Sequence, residues 1–132
     1  MSGWIVGGIA LAIFVVCTIV WNRRERRRQR ALAVTRLPLT EAEFSARLLG
    51  YGVATDLAAF IWEELQPYYF APLTPHPSDR IYGDMKIDPD DISDIAVRYE
   101  KRFGVWLGEV TLACPADPTI GEFAAALARK GR

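Results

Sequence analysis

The residues with the most chemistry in this chain are a crowd of aspartates, one histidine and two cysteines. Asp79, Asp84, Asp88, Asp90, Asp91 and Asp94 fall within sixteen residues, which raises the question of a divalent cation. A calcium loop needs acidic ligands at alternate positions, glycine at the sixth position and glutamate at the twelfth. Counted from Asp88, the fifth position is Ile92, the sixth is Ser93 and the twelfth is Tyr99, so the pattern fails. No metal site is expected. His76 lies between two prolines in "APLTPHPSD" with no evident partner, and reads as a loop residue rather than a catalytic base. Cys17 lies in an apolar run and Cys114 in a distant loop, without CxxC or metal-ligand spacing. No disulfide framework follows, and a reducing compartment is expected. The chain shows no glycine-rich phosphate loop, no nucleophile–base set and no paired-carboxylate motif. An enzyme is therefore not expected.

The charge pattern divides the chain. The net charge of the 132 residues is zero, but it is unevenly distributed. Asn22 to Arg36 holds seven arginines and one glutamate, a net +6, and the rest holds nine basic and fifteen acidic residues, a net −6. Such asymmetry separates a basic attachment from an acidic domain.

Ahead of the arginines runs "WIVGGIALAIFVVCTIVW", Trp4 to Trp21, with no charged residue. A helix of that length measures roughly 27 Å, close to the hydrocarbon thickness of a bilayer. Trp4 and Trp21 bracket it as interfacial aromatics do. A cleaved signal peptide would carry its positive charge before the apolar run and a small-residue cleavage site after it. Here Arg23, Arg24, Arg26, Arg27 and Arg28 follow the run. An uncleaved single-pass anchor is expected, with the basic block and the C-terminal domain in the cytoplasm. Membrane lipid is an expected partner and nucleic acid is not, since a basic block beside a span is a topology signal. Gly3 and Gly7 have the spacing that lets membrane helices approach, but lie at the very end of the span.

Beyond the anchor, residues 23–39 are expected to be a basic juxtamembrane linker, with Pro38 opposing a continuous helix. Thr40 and Glu43 fit a capping box that opens a helix over Glu41 to Leu49, with Phe44, Leu48 and Leu49 on one side. A second helix is expected from Thr55 to Tyr69, inward-facing at Leu57, Phe60, Ile61, Leu65 and Tyr68. Three prolines between Ala71 and Asp79 impose an extended loop. Asp88 can then cap a helix whose first position is Pro89. Asp90 and Asp91 complement its dipole, and Ile92, Ile95, Ala96, Tyr99 and Phe103 form its apolar stripe. Gly104 ends it. Val105 to Pro118 reads as mostly loop, with room for one short helical turn. Thr119 and Glu122 open a last helix that faces Ile120, Phe123, Ala124 and Leu127 inward. The fold class expected is all-α: a single transmembrane helix, then a four-helix domain over residues 40–132.

Two stretches, "IDPDDISDIAVRYEKRFGV" and "TIGEFAAAL", carry a resemblance. Asp88 at the opening of the acidic helix, Phe103-Gly104-Val105 at its end and Thr119-Ile120-Gly121-Glu122 at the last turn resemble acyl carrier proteins over residues 56–130. The resemblance implies an acyl-carrier-like helical bundle. It also implies a phosphopantetheine-bearing serine where this chain has Pro89, which has no hydroxyl. Ser93 and Ser78 are the alternative serines, and neither stands in a matching motif. The departure is itself similar to a family of small uncharacterised bacterial acyl-carrier-like domains, the DUF1493 type. What the resemblance implies is a protein without the prosthetic arm or any other cofactor. It would dock a partner through Asp88, Asp90, Asp91, Asp94 and Arg98 on the acidic helix. The partner would be a fatty-acid, polyketide or lipid synthesis enzyme. The alternative is a working carrier modified at a non-standard serine.

Overall fold

A computed structural model describes residues 2–107 and 115–131. Five α-helices account for its regular structure, with one 3-10 turn and no named strand among the described residues. The chain divides into two compact units, Met1–Leu37 and Pro38–Arg132.

The first unit is built on α1, Gly3–Val34, a helix of 32 residues. At 1.5 Å per residue it is about 48 Å long. Its most apolar eighteen-residue window has a mean hydropathy of 2.5 and buries nothing within the protein. Among the described residues this is the one helix long and apolar enough to cross a membrane. Trp4, at 94% exposure, opens the run and Trp21 closes it. The one hydroxyl near its centre donates back to its own helix, Thr18 Oγ1 to the Phe14 carbonyl at 2.9 Å, as hydrocarbon would require.

Within the stretch expected to be a basic juxtamembrane linker, residues 23–39, most of the chain is helical. Residues 23–34 continue α1 without a break. Arginine, glutamate, glutamine, alanine and leucine are all good helix formers, and Pro38 lies beyond the last turn. Glu25 ties the segment locally. It accepts from Arg28 Nε at 3.1 Å and Nη2 at 2.5 Å, and from Gln29 Nε2 at 3.3 Å. Thr35 closes the helix, donating its backbone N–H and hydroxyl to the Leu32 carbonyl. Arg23, Arg24, Arg26, Arg27 and Arg28 are thus carried on a helical extension of the apolar run.

The second unit begins with α2, Glu41–Leu49. The expected capping box forms: Thr40 accepts from the Glu43 N–H, and the Glu43 carboxylate accepts from the Thr40 N–H. Phe44 and Leu48 are fully buried, but Leu49 is 64% exposed. Leu49 lies about 140° round the helix from Phe44, outside the stripe that Phe44 and Leu48 define.

Helix α3 covers Thr55–Leu65, shorter than the expected Thr55–Tyr69, and a 3-10 turn follows over Gln66–Tyr68. Pro67 is the reason. It has no N–H to return to the Glu63 carbonyl, which instead receives the Gln66 N–H in the tighter pattern. Leu57, Phe60, Ile61 and Leu65 are buried as their spacing requires, whereas the change of pitch leaves Tyr68 half-buried and buries Tyr69.

Helix α4, Pro89–Phe103, has the expected limits. Asp88 Oδ1 accepts from the Asp90 N–H at 2.8 Å, and Gly104 ends the helix at φ 66°, the left-handed conformation suited to glycine. Ile92, Ile95 and Tyr99 are buried, while Ala96 and Phe103 are half-buried. Phe60, Tyr99 and Phe103 form an aromatic cluster with centroids 5.1 to 6.2 Å apart.

Helix α5, Ile120–Lys130, is the most enclosed: residues 120, 121 and 123–127 are all buried. Its small residues permit close approach. A Cβ on Gly121 would lie 2.5 Å from the Tyr51 ring. The long connection from Tyr69 to Asp88 is core as well as loop, since Leu73, Pro75, Pro77, Ile81, Met85 and Ile87 are all buried. It is stitched to the start of α5 by the Arg80–Thr119 antiparallel bridge. The expected short turn before α5, and Cys114, fall mainly outside the described residues.

Candidate functional site

Helix α4 sorts its polar residues by angle. Asp90, Ser93, Asp94, Val97 and Lys101 recur at helical spacing on its outermost face, and all five are exposed. Asp91, Arg98 and Arg102 lie on the flank toward α3. Arg98 donates from Nε to Glu64 Oε2 at 2.7 Å, and Nη2 is 2.6 Å from the same oxygen. Arg102 donates to Glu63 Oε2 at 3.0 Å, and its guanidinium lies 5.5 Å from the Phe60 ring centroid. Asp91 hydrogen-bonds with Tyr68. Burial raises the Tyr68 hydroxyl above its ordinary pKa, and the Asp91 carboxylate adds to the rise. The hydrogen bond to Glu64 raises the Arg98 guanidinium further.

The five residues named for docking therefore have different surroundings. Asp90 and Asp94 stand together on the outer face with Val97 between their row and Lys101. Asp88 is exposed but caps the helix. Arg98 is turned into contact with α3, and Asp91 toward Tyr68 in the 3-10 turn that follows it. The two arginines are neutralised by α3 carboxylates, so the outward charge at the start of α4 is negative. The α3 partners of these arginines lie 34 and 39 residues away in the chain, beyond any local sequence pattern.

Pro89 occupies the first position of α4, where a missing N–H costs nothing. Ser93 is exposed one turn later, with its hydroxyl donating to the Pro89 carbonyl at 3.2 Å. Neither position offers a hydroxyl at the mouth of the helix. Among the described residues, no group of three His, Cys, Asp or Glu side chains could hold a metal ion.

The proline-rich loop contains contacts that sequence reading missed. His76 has partners on both ring nitrogens. Ser78 Oγ lies 2.6 Å from Nδ1, and Arg47 Nη1 lies 3.1 Å from Nε2. The Ser78 backbone N–H also points at Nδ1, at 3.1 Å. The His76 backbone N–H donates to Asp79 Oδ2 at 3.2 Å. Asp79 is 3% exposed and accepts from the Tyr69 hydroxyl at 2.5 Å. The Ser78–His76 pair could have been suspected from the motif H-x-S. Arg47 could not, because it arrives from α2, 29 residues away.

No protein-family model, no curated protein and no solved structure matches this chain.

Proposed function

We propose that this chain is a membrane-anchored, non-enzymatic acyl-carrier-like module that docks a partner protein through α4 without a phosphopantetheine arm. The observation that carries the reading is the outward face of α4. It presents Asp90 and Asp94 beside Val97, while Arg98 and Arg102 are paired to α3. Such a face complements a cationic surface with a small apolar contact, and its charges speed encounter more than they add affinity. Pro89 in place of the serine supports docking without cargo. The partner would be an enzyme of fatty-acid, polyketide or lipid synthesis. The module would sit in a bacterial inner membrane, with residues 38–132 in the cytoplasm, on the strength of the arginines that follow the span.

Three measurements test this. Asp90→Lys with Asp94→Lys is expected to abolish recovery of the partner by a tagged full-length chain while leaving helicity unchanged. Equal recovery would refute docking through this face. The intact mass after co-expression with a broad-specificity phosphopantetheinyl transferase is expected to equal that of the unmodified chain. A gain of one phosphopantetheine would establish the alternative, a carrier modified at a non-standard serine. For topology, a C-terminal reporter active only in the cytoplasm is expected to be active.

A further inference from the structure

We propose that Arg23, Arg24, Arg27 and Arg30 form a binding face for the phosphates of anionic phospholipids in the leaflet beside Trp21. The inference rests on the reading of α1 as a membrane span and is independent of docking through α4.

Helix α1 is longer than a bilayer core requires. About twenty residues of helix cross roughly 30 Å of hydrocarbon. The uncharged run ends at Trp21, yet the helix continues to Val34, so the arginines ride on the axis of the span. Trp21 marks the level of the interface, since tryptophan prefers the headgroup boundary. Arg23 follows two residues later. From Arg23 to Arg27 the helix rises about 6 Å. The headgroup layer on each side of the core is about 5–7 Å deep. The first turn of arginines therefore lies at the depth of lipid phosphates, with Arg30 one turn beyond.

The helix also sorts these charges by angle. At about 100° per residue, Arg23, Arg27 and Arg30 fall within about 60° of one another, and Arg24 stands about 60° beyond Arg27. All four are exposed. Among the described residues, none of the four takes part in a hydrogen bond or an ion pair. Glu25, the one acidic residue in the block, lies about 100° or more round the axis from each of them. It is occupied there by Arg28 and Gln29. The face thus carries four positive charges with no carboxylate among them.

Direction follows from helicity. Each Cα–Cβ bond of a helix tilts toward its N-terminus, which in α1 is toward the span. The arginine stems lean back to the bilayer and can lie along apolar surface while the guanidinium reaches a phosphate. An irregular linker would impose no such direction. The planar guanidinium fork matches two phosphate oxygens at once, in a charge-assisted pairing.

The full-length chain is placed in nanodiscs of equal phosphatidylglycerol and phosphatidylcholine and released into detergent. Retained lipids are then counted by native mass spectrometry. Phosphatidylglycerol is expected to be retained in preference. Arg27→Gln is expected to lower the ratio about fivefold, the scale of one arginine at an anionic surface. Adding Arg23→Gln is expected to lower it further, with α1 intact because glutamine is a good helix former. Lys86→Gln with Lys130→Gln removes the same charge from the second unit and is expected to leave the ratio unchanged. An equal ratio in the native chain and the double arginine variant, or an equal fall in the lysine variant, would overturn the proposal. So would displacement of the retained lipid by inorganic phosphate at matched concentration, which would assign the arginines to a free anion. Entry of the native chain into nanodiscs of phosphatidylcholine alone tests the span separately. Failure there would refute the span and this proposal together, whereas entry without any lipid preference would refute this proposal alone.

Discussion

Gly104 shows how a single residue can carry an element's boundary. Its φ of 66° lies in the region that costs an L-residue about 1 kcal/mol or more. Nothing crowds its missing Cβ, so the cost in Gly104→Ala is conformational. That variant is expected to lose about 1 kcal/mol in a denaturant titration. Thr119→Ala removes the acceptor for the Glu122 N–H and is expected to lose about 1 kcal/mol, as N-cap deletions do. A pH effect also belongs at this scale. Tyr68 and Tyr99 both have hydroxyls raised above the ordinary tyrosine range, chiefly by burial, with Asp91 and Asp56 adding to the respective rises. The folded state holds those protons more tightly than the unfolded chain. Their contribution is present in full below the unfolded value near pH 10 and is lost as pH rises through the folded values. Thermal midpoints are expected to fall above about pH 10, and the fall is expected to shrink in Tyr68→Phe. Capping residues such as Gly104 and Thr119 were legible in advance because a cap acts within four residues of chain. The His76 contacts were not, because Arg47 reaches the ring only after α2 and the loop have packed together.

Among the elements, α4 and α3 are joined by aromatic packing and by two ion pairs at the surface, Arg98–Glu64 and Arg102–Glu63. Exposed pairs of this kind contribute about 0.2–1 kcal/mol each and weaken with salt. A double-mutant cycle on Arg102 and Glu63 is expected to return a coupling within that range, smaller at high ionic strength. Their larger consequence is for surface charge. Arg98→Ala frees the Glu64 carboxylate and makes the α4 flank more negative, so it is expected to strengthen binding to a cationic partner rather than weaken it. Comparing association rates of the two proteins at low salt checks this. Helix limits tracked the sequence where a capping signal and a periodic stripe coincided, as in α2, α4 and α5. They departed where one residue changed the pitch. Pro67 shortened α3, and the absence of any breaker before Pro38 let α1 run through the arginines.

In the whole molecule, an apolar helix and an acidic helical unit are joined in one chain, each a compact unit of distinct composition. Removal of residues 3–21 is expected to release the protein from the membrane fraction, which centrifugation after cell lysis checks. Phe44→Ala, at a site with no exposure, is expected to cost about 3–5 kcal/mol, read from the shift in the denaturation midpoint of the full chain in micelles. The sequence by itself determined the all-helical class, the span of the apolar run, the caps and most of the buried stripe. Each of these depends on composition or on periodicity within a few turns. Only the tertiary structure decided which charges face outward on α4, that α5 is enclosed, and that the proline-rich loop is part of the core. It also decided that His76 is held between Ser78 and Arg47. Those outcomes depend on contacts between residues far apart in the chain, and close packing selects such contacts only once every element is in place.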